Sequence, residues 1–371
     1  MKISCLRQDL AGALNIVSKA VSTRSTIPAM KGILLEASND GKVLLASSDS
    51  DISIQYTLEA NVEEAGLIVL PAKLFSDIVR SVPESQISIT TRDELHASIK
   101  SVNSEFNIVG LDADDFPRFE APGNEAQHIQ LPALLFKTMI GQTSFAASTD
   151  DSRGIITGVL IDIHDQEMHL AALDGYRMAI ANHAVPEVNP YSIVISAKLL
   201  NDLSKIIAEI KDIKNDTMLN IELENKKAVF IFPNLMVELK LFNGQFVDYR
   251  SIMPKNSTIQ LKVNRSALIQ SIERASLLAR DDKNNLIRMD IQDQIMSIAA
   301  RAEEGNLHEE LVVEKTGDDL EIGFNAQYLL DMLKAIKDDD IIMKFRSGID
   351  PCVVTPVEGN AYEYLVLPVR L

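Results

Sequence analysis

PAKLFSDIVRSV at residues 71–82, SAKLLNDLSKII at 196–207 and NAQYLLDMLKAI at 325–336 are three copies of one pattern, offset by 125 and 254 residues from the first. Their apolar positions share one phase. In the first copy they are Leu74, Phe75, Ile78, Val79 and Val82, and in the third Tyr328, Leu329, Met332, Leu333 and Ile336. The second keeps Leu199, Leu200, Leu203 and Ile207, with Ser204 as the exception. Recurrence at i, i+1, i+4, i+5 and i+8 marks one face of an amphipathic helix. A second helical stripe precedes each copy: Leu10, Leu14 and Val17, then Leu135 and Met139, then Leu268 and Ile272. Between the helices the period becomes two. Ile33-Leu34-Leu35 leads to Val43-Leu44-Leu45 across Asn39-Asp40-Gly41, a hairpin signal. Val159-Leu160-Ile161 and Ile287-Arg288-Met289 take the same place later, and strands follow the second helix at 86–91 with 104–111 and at 218–223 with 228–232. The repeating unit, helix, strands, helix, strands, is about 124 residues long, too long for a solenoid repeat and long enough for its own core. The expected fold class is α+β: three repeated domains, each of two helices and antiparallel sheets, at 1–123, 124–253 and 254–371.

Composition agrees with a globular protein. Of 371 residues, 46% are apolar and 24% charged, which excludes disordered and collagenous classes. The net charge of −17 argues on average against nucleic acid and anionic membranes as partners. Its distribution argues otherwise. The six expected helices, at 6–20, 71–82, 131–147, 196–211, 263–280 and 325–337, hold thirteen cations: Arg7, Lys19, Lys73, Arg80, Lys137, Lys198, Lys205, Lys211, Arg265, Arg274, Arg280, Lys334 and Lys337. Against six anions they carry +7 and leave −24 for the rest of the chain. Such segregation suits a weak, salt-sensitive contact with phosphates and no base readout. The competing reading is that lysines simply occupy the wet faces of amphipathic helices.

Two cysteines, Cys5 and Cys352, are too few for a disulfide framework or a thiolate metal cage, and read as buried hydrophobes of a reducing compartment. The start MKISCLRQDL lacks the apolar core of a signal peptide, and no stretch approaches a membrane span, so the expected location is cytoplasmic. Phosphate-loop, zinc-protease, serine-hydrolase and dinucleotide motifs are missing. His164 and His169 flank Asp165-Gln166-Glu167, a solvated hairpin end; the acidic runs 112–115 and 338–340 read as turns. Ser48-Asp49-Ser50-Asp51 reads as a strand-connecting turn rather than a phosphorylated or metal-binding cluster. An enzyme using Asp49, Asp51 or Asp174 as acid or base is the second reading, without a nucleophile or metal set to support it. A repeat scaffold with no DNA role is the third.

RSTIP (24–28), DFP (115–117), LDGYR (173–177), FVDYR (246–250), MPKN (253–256), EIGFNAQY (321–328) and the terminal LVLPVRL carry a resemblance over the whole length. On these motifs the chain resembles the bacterial sliding clamps, the beta subunits of DNA polymerase III. The resemblance implies a head-to-tail homodimer of six domains closing into a ring on double-stranded DNA. Twelve helices would line the hole, with sheets outside. The implied role is that of a non-catalytic processivity factor in DNA replication, within a DNA-directed DNA polymerase (nucleotidyltransferase) holoenzyme, with no cofactor, no metal and no membrane contact. Implied partners are the clamp loader, the polymerase III catalytic subunit, and other polymerases and mismatch-repair proteins carrying short clamp-binding peptides.

By position the resemblance implies a peptide cleft lined by Ile156, Leu173, Gly175, Tyr176, Met178, Val247, Ile252, Asn325, Tyr328, Ile349, Leu365, Leu367, Pro368, Val369, Arg370 and Leu371. An apolar pocket with a few polar groups suits the anchors of an extended peptide; the alternative is that 367–369 form the last core strand. DNA contacts are implied for Arg24, Arg153 and Lys198, and a subunit interface for Phe106 and Ile108 facing Leu277 and Leu278, with Lys73 near Glu303 and Glu304. Val247 stands where the family often has proline and Ser251 where a basic residue is common, which shifts peptide preference. Asn103 and Glu105 replace basic residues, which alters the interface rim.

Overall fold

The structure, a computed structural model, describes every residue except 84, 93–94, 118, 120–122, 124–125, 187–188, 225 and 281–283. The expected boundary between 123 and 124 therefore touches Asn124, outside the described residues.

Each repeat follows one order. The first runs β1 (Lys2–Leu6), α1 (Arg7–Val17), β2 (Gly32–Ala37), β3 (Lys42–Ser48), β4 (Ile52–Glu59), β5 (Asn61–Glu64), β6 (Gly66–Pro71), α2 (Ala72–Ser81), β7 (Gln86–Thr91), β8 (His96–Ser101) and β9 (Ser104–Val109). The second runs β10 (Gln127–Pro132), α3 (Ala133–Thr143), β11 (Gly158–His164), β12 (Glu167–Leu173), β13 (Arg177–Ala184), β14 (Tyr191–Ser196), α4 (Ala197–Glu209), β15 (Met218–Leu223), β16 (Lys227–Phe232) and β17 (Leu235–Lys240). The third runs β18 (Ile259–Asn264), α5 (Arg265–Ala279), β19 (Leu286–Gln292), β20 (Ile295–Ala302), β21 (Gly305–Val312), β22 (Glu314–Thr316), β23 (Leu320–Asn325), α6 (Ala326–Ala335), β24 (Asp340–Phe345), β25 (Cys352–Pro356) and β26 (Tyr362–Val366). Two features go beyond the sequence pattern. A short strand precedes the first helix of every repeat, and β8 fills the gap between 91 and 104. The helices are shorter than expected, since 18–20 and 144–146 tighten into 3₁₀ turns.

Although the sequence repeats three times, the chain forms two compact units: residues 1–134 with 202–241, and residues 135–201 with 242–371. Sheet pairing explains the division. In the first unit, the eight-stranded sheet β10-β15-β16-β17-β4-β3-β2-β6 fuses the second half of the central repeat to the first half of the N-terminal one. The seam is β17 on β4, with Val237 opposite Ile54. In the second unit, the nine-stranded sheet β14-β11-β12-β13-β26-β25-β24-β18-β22 joins the remaining half of the central repeat to the C-terminal one, with β13 on β26 and Met178 opposite Leu365. Each unit also holds a shorter sheet, β5-β1-β7-β8-β9 in the first and β21-β20-β19-β23 in the second.

The helices bury the predicted stripe against these sheets. Phe75, Val79, Leu200, Leu203, Ile207, Leu329 and Leu333 are fully enclosed. The first stripe position departs from expectation: Leu74 is 48% exposed, Leu199 and Tyr328 are only half-buried, and that position leaves the core in every repeat. Cys5 and Cys352 are buried free thiols, and burial raises both well above the usual thiol range. Neither is therefore expected to react with a thiol-specific chromogenic disulfide in the native protein, and both should react fully in denaturant; native titration of one or two thiols would contradict this burial.

Candidate functional site

In the second unit the turn between β12 and β13 carries the LDGYR motif, and its chemistry is local. The Asp174 carboxylate accepts from the backbone N–H groups of Tyr176 at 2.8 Å and Arg177 at 3.0 Å, closing the turn. Gly175 sits at φ +91°, a left-handed conformation that suits glycine, and a Cβ there would lie 3.2 Å from the Arg153 guanidinium. Arg177 is the hub. Its Nε donates to Asp174 at 3.0 Å and its guanidinium donates to Asp331 of α6 at 2.5 Å. The same guanidinium lies over the Tyr328 ring, 4.7 Å from its centre, and near Phe145 at 5.5 Å. The Arg177 and Asp174 side chains are nearly enclosed, so the pair is held by matched charge rather than by solvent.

This hub stands Tyr176 beside Tyr328, their rings stacked at 5.9 Å. Asn325 fixes Tyr328 from the other side. It is the N-cap of α6, its Oδ1 accepting from the N–H groups of Gln327 at 2.9 Å and Tyr328 at 3.3 Å. Burial and the nearby Asp174 charge raise the Tyr328 hydroxyl above the ordinary tyrosine range, so the ring presents a neutral face.

Beneath the tyrosines lies an apolar floor. Leu173, Met178 and Leu365 join Phe246 and Tyr249 in one buried cluster, with Ile156 and Met253 packed against it. The linker after β17 contributes Val247, 41% exposed, and Ile252, 43% exposed, the latter in a 3₁₀ turn at Tyr249–Ile252. The chain end closes the wall. β26 stops at Val366, and the following residues are not a core strand: Leu367 N–H donates to the Tyr176 carbonyl and Val369 N–H to the Gly323 carbonyl, both at 2.9 Å. Gly323 permits this, since a Cβ there would lie 2.8 Å from the Leu371 side chain and 2.9 Å from the Val369 carbonyl. Leu371 is 60% exposed, and Pro368, Val369 and Arg370 are half-buried or exposed. Ile349 projects from the β24–β25 loop at 83% exposure, and Gly348 of that loop packs on the Glu321 carbonyl of β23. The structure thus gathers most of the expected cleft residues, gives Asn325 and Gly175 the task of shaping it, and adds Arg177, Asp331, Phe145 and Phe246. Sequence reading did not assign these four to the cleft, because the Arg177–Asp331 pair and the packing of Phe145 and Phe246 join distant elements and leave no periodic trace.

The other expected residues lie elsewhere. Arg153 is exposed, and one nitrogen of its guanidinium donates to the Asp174 carbonyl at 2.5 Å. Arg24 is exposed in the loop before a 3₁₀ turn at Pro28–Lys31, and Lys198 is exposed on α4. Much of the helical charge is spent locally. Lys19 pairs with Glu209 at 2.9 Å, Lys211 with Asp9 at 3.4 Å, Lys205 with Asp202 at 2.9 Å, Lys334 with Glu273 at 2.8 Å, and Arg274 with Glu309. Arg7 and Arg265, at equivalent positions in the first and third repeats, donate to carbonyls at or near the ends of α2 and α6. Among the described residues, Lys73, Lys137 and Lys198 form no ion pair. Phe106 is half-buried and Ile108 buried on β9; Leu277 is 62% exposed on α5, Leu278 is half-buried, and Lys73, Glu303 and Glu304 are exposed.

Asp49 and Asp51 serve structure. Asp49 caps the β3–β4 turn by accepting from the N–H groups of Asp51 and Ile52, and Asp51 pairs with Lys240 at 3.2 Å. The hairpin at 165–166 is a turn as expected, but His169 is not solvated. It is buried, 2.7 Å from the Asn182 amide oxygen, with its ring edge-on to His164 at 4.6 Å. Sheet registry places it on the covered face, which a local turn reading misses.

Models of the DNA polymerase III beta subunit match in three consecutive parts: the N-terminal domain at residues 1–120, the central domain at 130–248 and the C-terminal domain at 250–370. The beta sliding clamp of Bacillus subtilis is 34% identical over all of both chains. The crystal structure of the DNA polymerase sliding clamp from Bacillus subtilis superposes with a TM-score of 0.94, covering 100% of this chain and 99% of that one. A sliding clamp from Pseudomonas aeruginosa bound to griselimycin, 25% identical, superposes with a TM-score of 0.93 over all of both chains.

Replacing Arg177 by Met leaves Asp174 and Asp331 without their shared cation and is expected to cost about 3–5 kcal/mol in chemical denaturation. Gly323→Ala is expected to expel the chain end and speed the release of Leu371 by carboxypeptidase; an unchanged release rate would show that the tail is not held there.

Proposed function

Since the chain belongs to the DNA polymerase III beta-subunit family, we propose that it is the sliding clamp of a replicative polymerase, with no chemistry of its own. It consists of three clamp domains, bounded near 123/124 and 253/254. The observation that carries this reading is the family match in three ordered parts over residues 1–370.

Sheet logic supports how it assembles. In both seams, the third strand after a repeat's second helix pairs with the third strand after another repeat's first helix: β17 with β4, and β26 with β13. The same rule leaves β9 of the first repeat and β21 of the third as partners, and among the described residues both are unpaired edges. An open edge presents a row of unmet backbone groups and recruits another strand. Two copies arranged head to tail satisfy both edges and close a six-domain ring. Phe106 and Ile108 then meet Leu277 and Leu278, while Lys73 faces Glu303 and Glu304. The ring encircles duplex DNA, and its tether is topological, so contacts through Arg24, Arg153 and Lys198 need only be weak. Lys137, which forms no ion pair among the described residues, joins them, and the internal ion pairs of Lys19, Lys205, Lys211, Arg274 and Lys334 weaken the grip of the lining on phosphates. The groove of Tyr176, Tyr328 and the chain end takes short peptides from the polymerase III catalytic subunit, the clamp loader, other polymerases and mismatch-repair proteins in the cytoplasm.

On this reading the protein stays on nicked circular DNA after loading and runs off when the circle is linearised; equal retention on both would overturn topological tethering. Removing residues 369–371 abolishes peptide binding and leaves the dimer intact, as measured by calorimetry and sedimentation. Leu277→Asp weakens dimerisation by about 2 kcal/mol and moves the species toward 41.0 kDa.

A further inference from the structure

One face of the nine-stranded sheet carries the groove floor and, two strands further on, a cationic hollow. Across the ladder Met178 is opposite Leu365, Leu365 opposite Val353, and Val353 opposite Lys344. Directly opposed residues share a face, so at about 4.8 Å per strand Lys344 lies about 10 Å from Leu365. Lys344 borders a pocket of 420 Å³ that Arg250, Lys255 and Arg346 also line. The linker joins the two places, because Met253 packs on the groove cluster and also lines the pocket.

The charges there are unevenly matched. Arg250 is occupied, donating to Asp162 at 2.7 Å and lying over the Tyr249 ring at 4.8 Å. The pocket's own carboxylates are Asp350, which accepts from the Ser347 hydroxyl at 2.6 Å, and Glu363. Among the described residues, Lys255, Lys344 and Arg346 form no ion pair, and Lys344 is half-buried. A lysine partly withdrawn from water without a partner carries a desolvation cost that an incoming carboxylate offsets. In a chain of net charge −17 this is a local reversal of sign, continuous with an apolar groove.

We infer that the hollow receives an acidic flank of the same extended peptide whose apolar anchors fill the groove, an inference that rests on the groove reading above. Lys344 and Arg346 then select, among peptides with similar anchors, those with glutamate or aspartate beside them. The test is fluorescence anisotropy of labelled ten-residue peptides with leucine and phenylalanine anchors, bearing two glutamates on the N-terminal or the C-terminal flank, against their glutamine counterparts. One glutamate peptide is expected to bind the native protein about three- to tenfold more tightly than its counterpart at low salt, with the advantage fading as salt rises. The advantage should vanish in a Lys344→Met, Arg346→Gln double variant, with the glutamine peptides unaffected. Should the double variant misfold, the exposed single changes Lys255→Gln and Arg346→Gln decide, each reducing the advantage. Equal binding of glutamate and glutamine peptides to the native protein overturns the inference and leaves the groove reading standing. Failure of every peptide removes both. Loss of duplex-DNA affinity in the double variant, with peptide binding unchanged, makes the hollow a nucleic-acid contact and also overturns the inference.

Discussion

A β-strand at the edge of a sheet must do something with its unmet backbone groups, and the architecture follows from how this chain meets that demand. Each repeat contributes two half-sheets, and four of the six fuse in pairs across repeats. β17 pairs with β4 and β13 with β26, so two of the three seams allowed by a threefold repeat lie inside the chain. The third seam has both of its strands, β9 and β21, each a sheet edge with no second partner strand among the described residues. The backbone demand that fuses the repeats thus also asks for a second molecule. Helices pack behind these sheets with their apolar stripe, which is why the same stripe recurs with so little variation.

The groove depends on a different interaction, one arginine holding two carboxylates and an aromatic ring. Arg177 ties the β12–β13 turn to α6, and Asn325 sets where α6 begins. Together they place Tyr176 and Tyr328 on a fixed wall, while the chain end hydrogen-bonds across Tyr176 and Gly323 to make the other. The apolar floor needs no such positioning, since burial alone gathers Leu173, Met178 and Leu365. A neutral, partly exposed pair of tyrosines over an aliphatic floor offers large contact area with few groups to desolvate, which suits peptide anchors.

Electrostatics in this chain works by subtraction. Lys19, Lys205, Lys211, Arg274 and Lys334 meet carboxylates, and Arg7 and Arg265 meet carbonyls, so more than half of the helical cations are engaged within the chain. A surface left with isolated lysines attracts phosphates without gripping them. Lys255, Lys344 and Arg346 stand apart from this economy, beside a groove in an acidic chain and without an ion pair among the described residues.

The triplicated helix at 71–82, 196–207 and 325–336, the hairpin at 39–41 and the turn motif LDGYR were all legible from residue order, because helical phase, turn chemistry and side-chain capping are properties of neighbours along the chain. Residue order even supplied the odd position, since Leu74 and Tyr328 share a phase with core leucines. It could not say that this position leaves the core, that β1, β10 and β18 precede the helices as strands, or that His169 turns inward. Those outcomes, like the pairing of Arg177 with Asp331 across 154 residues, depend on which strand lies beside which. Backbone pairing partners and charge partners are chosen in space, where a one-residue slip changes every neighbour, and that choice belongs to the tertiary structure alone.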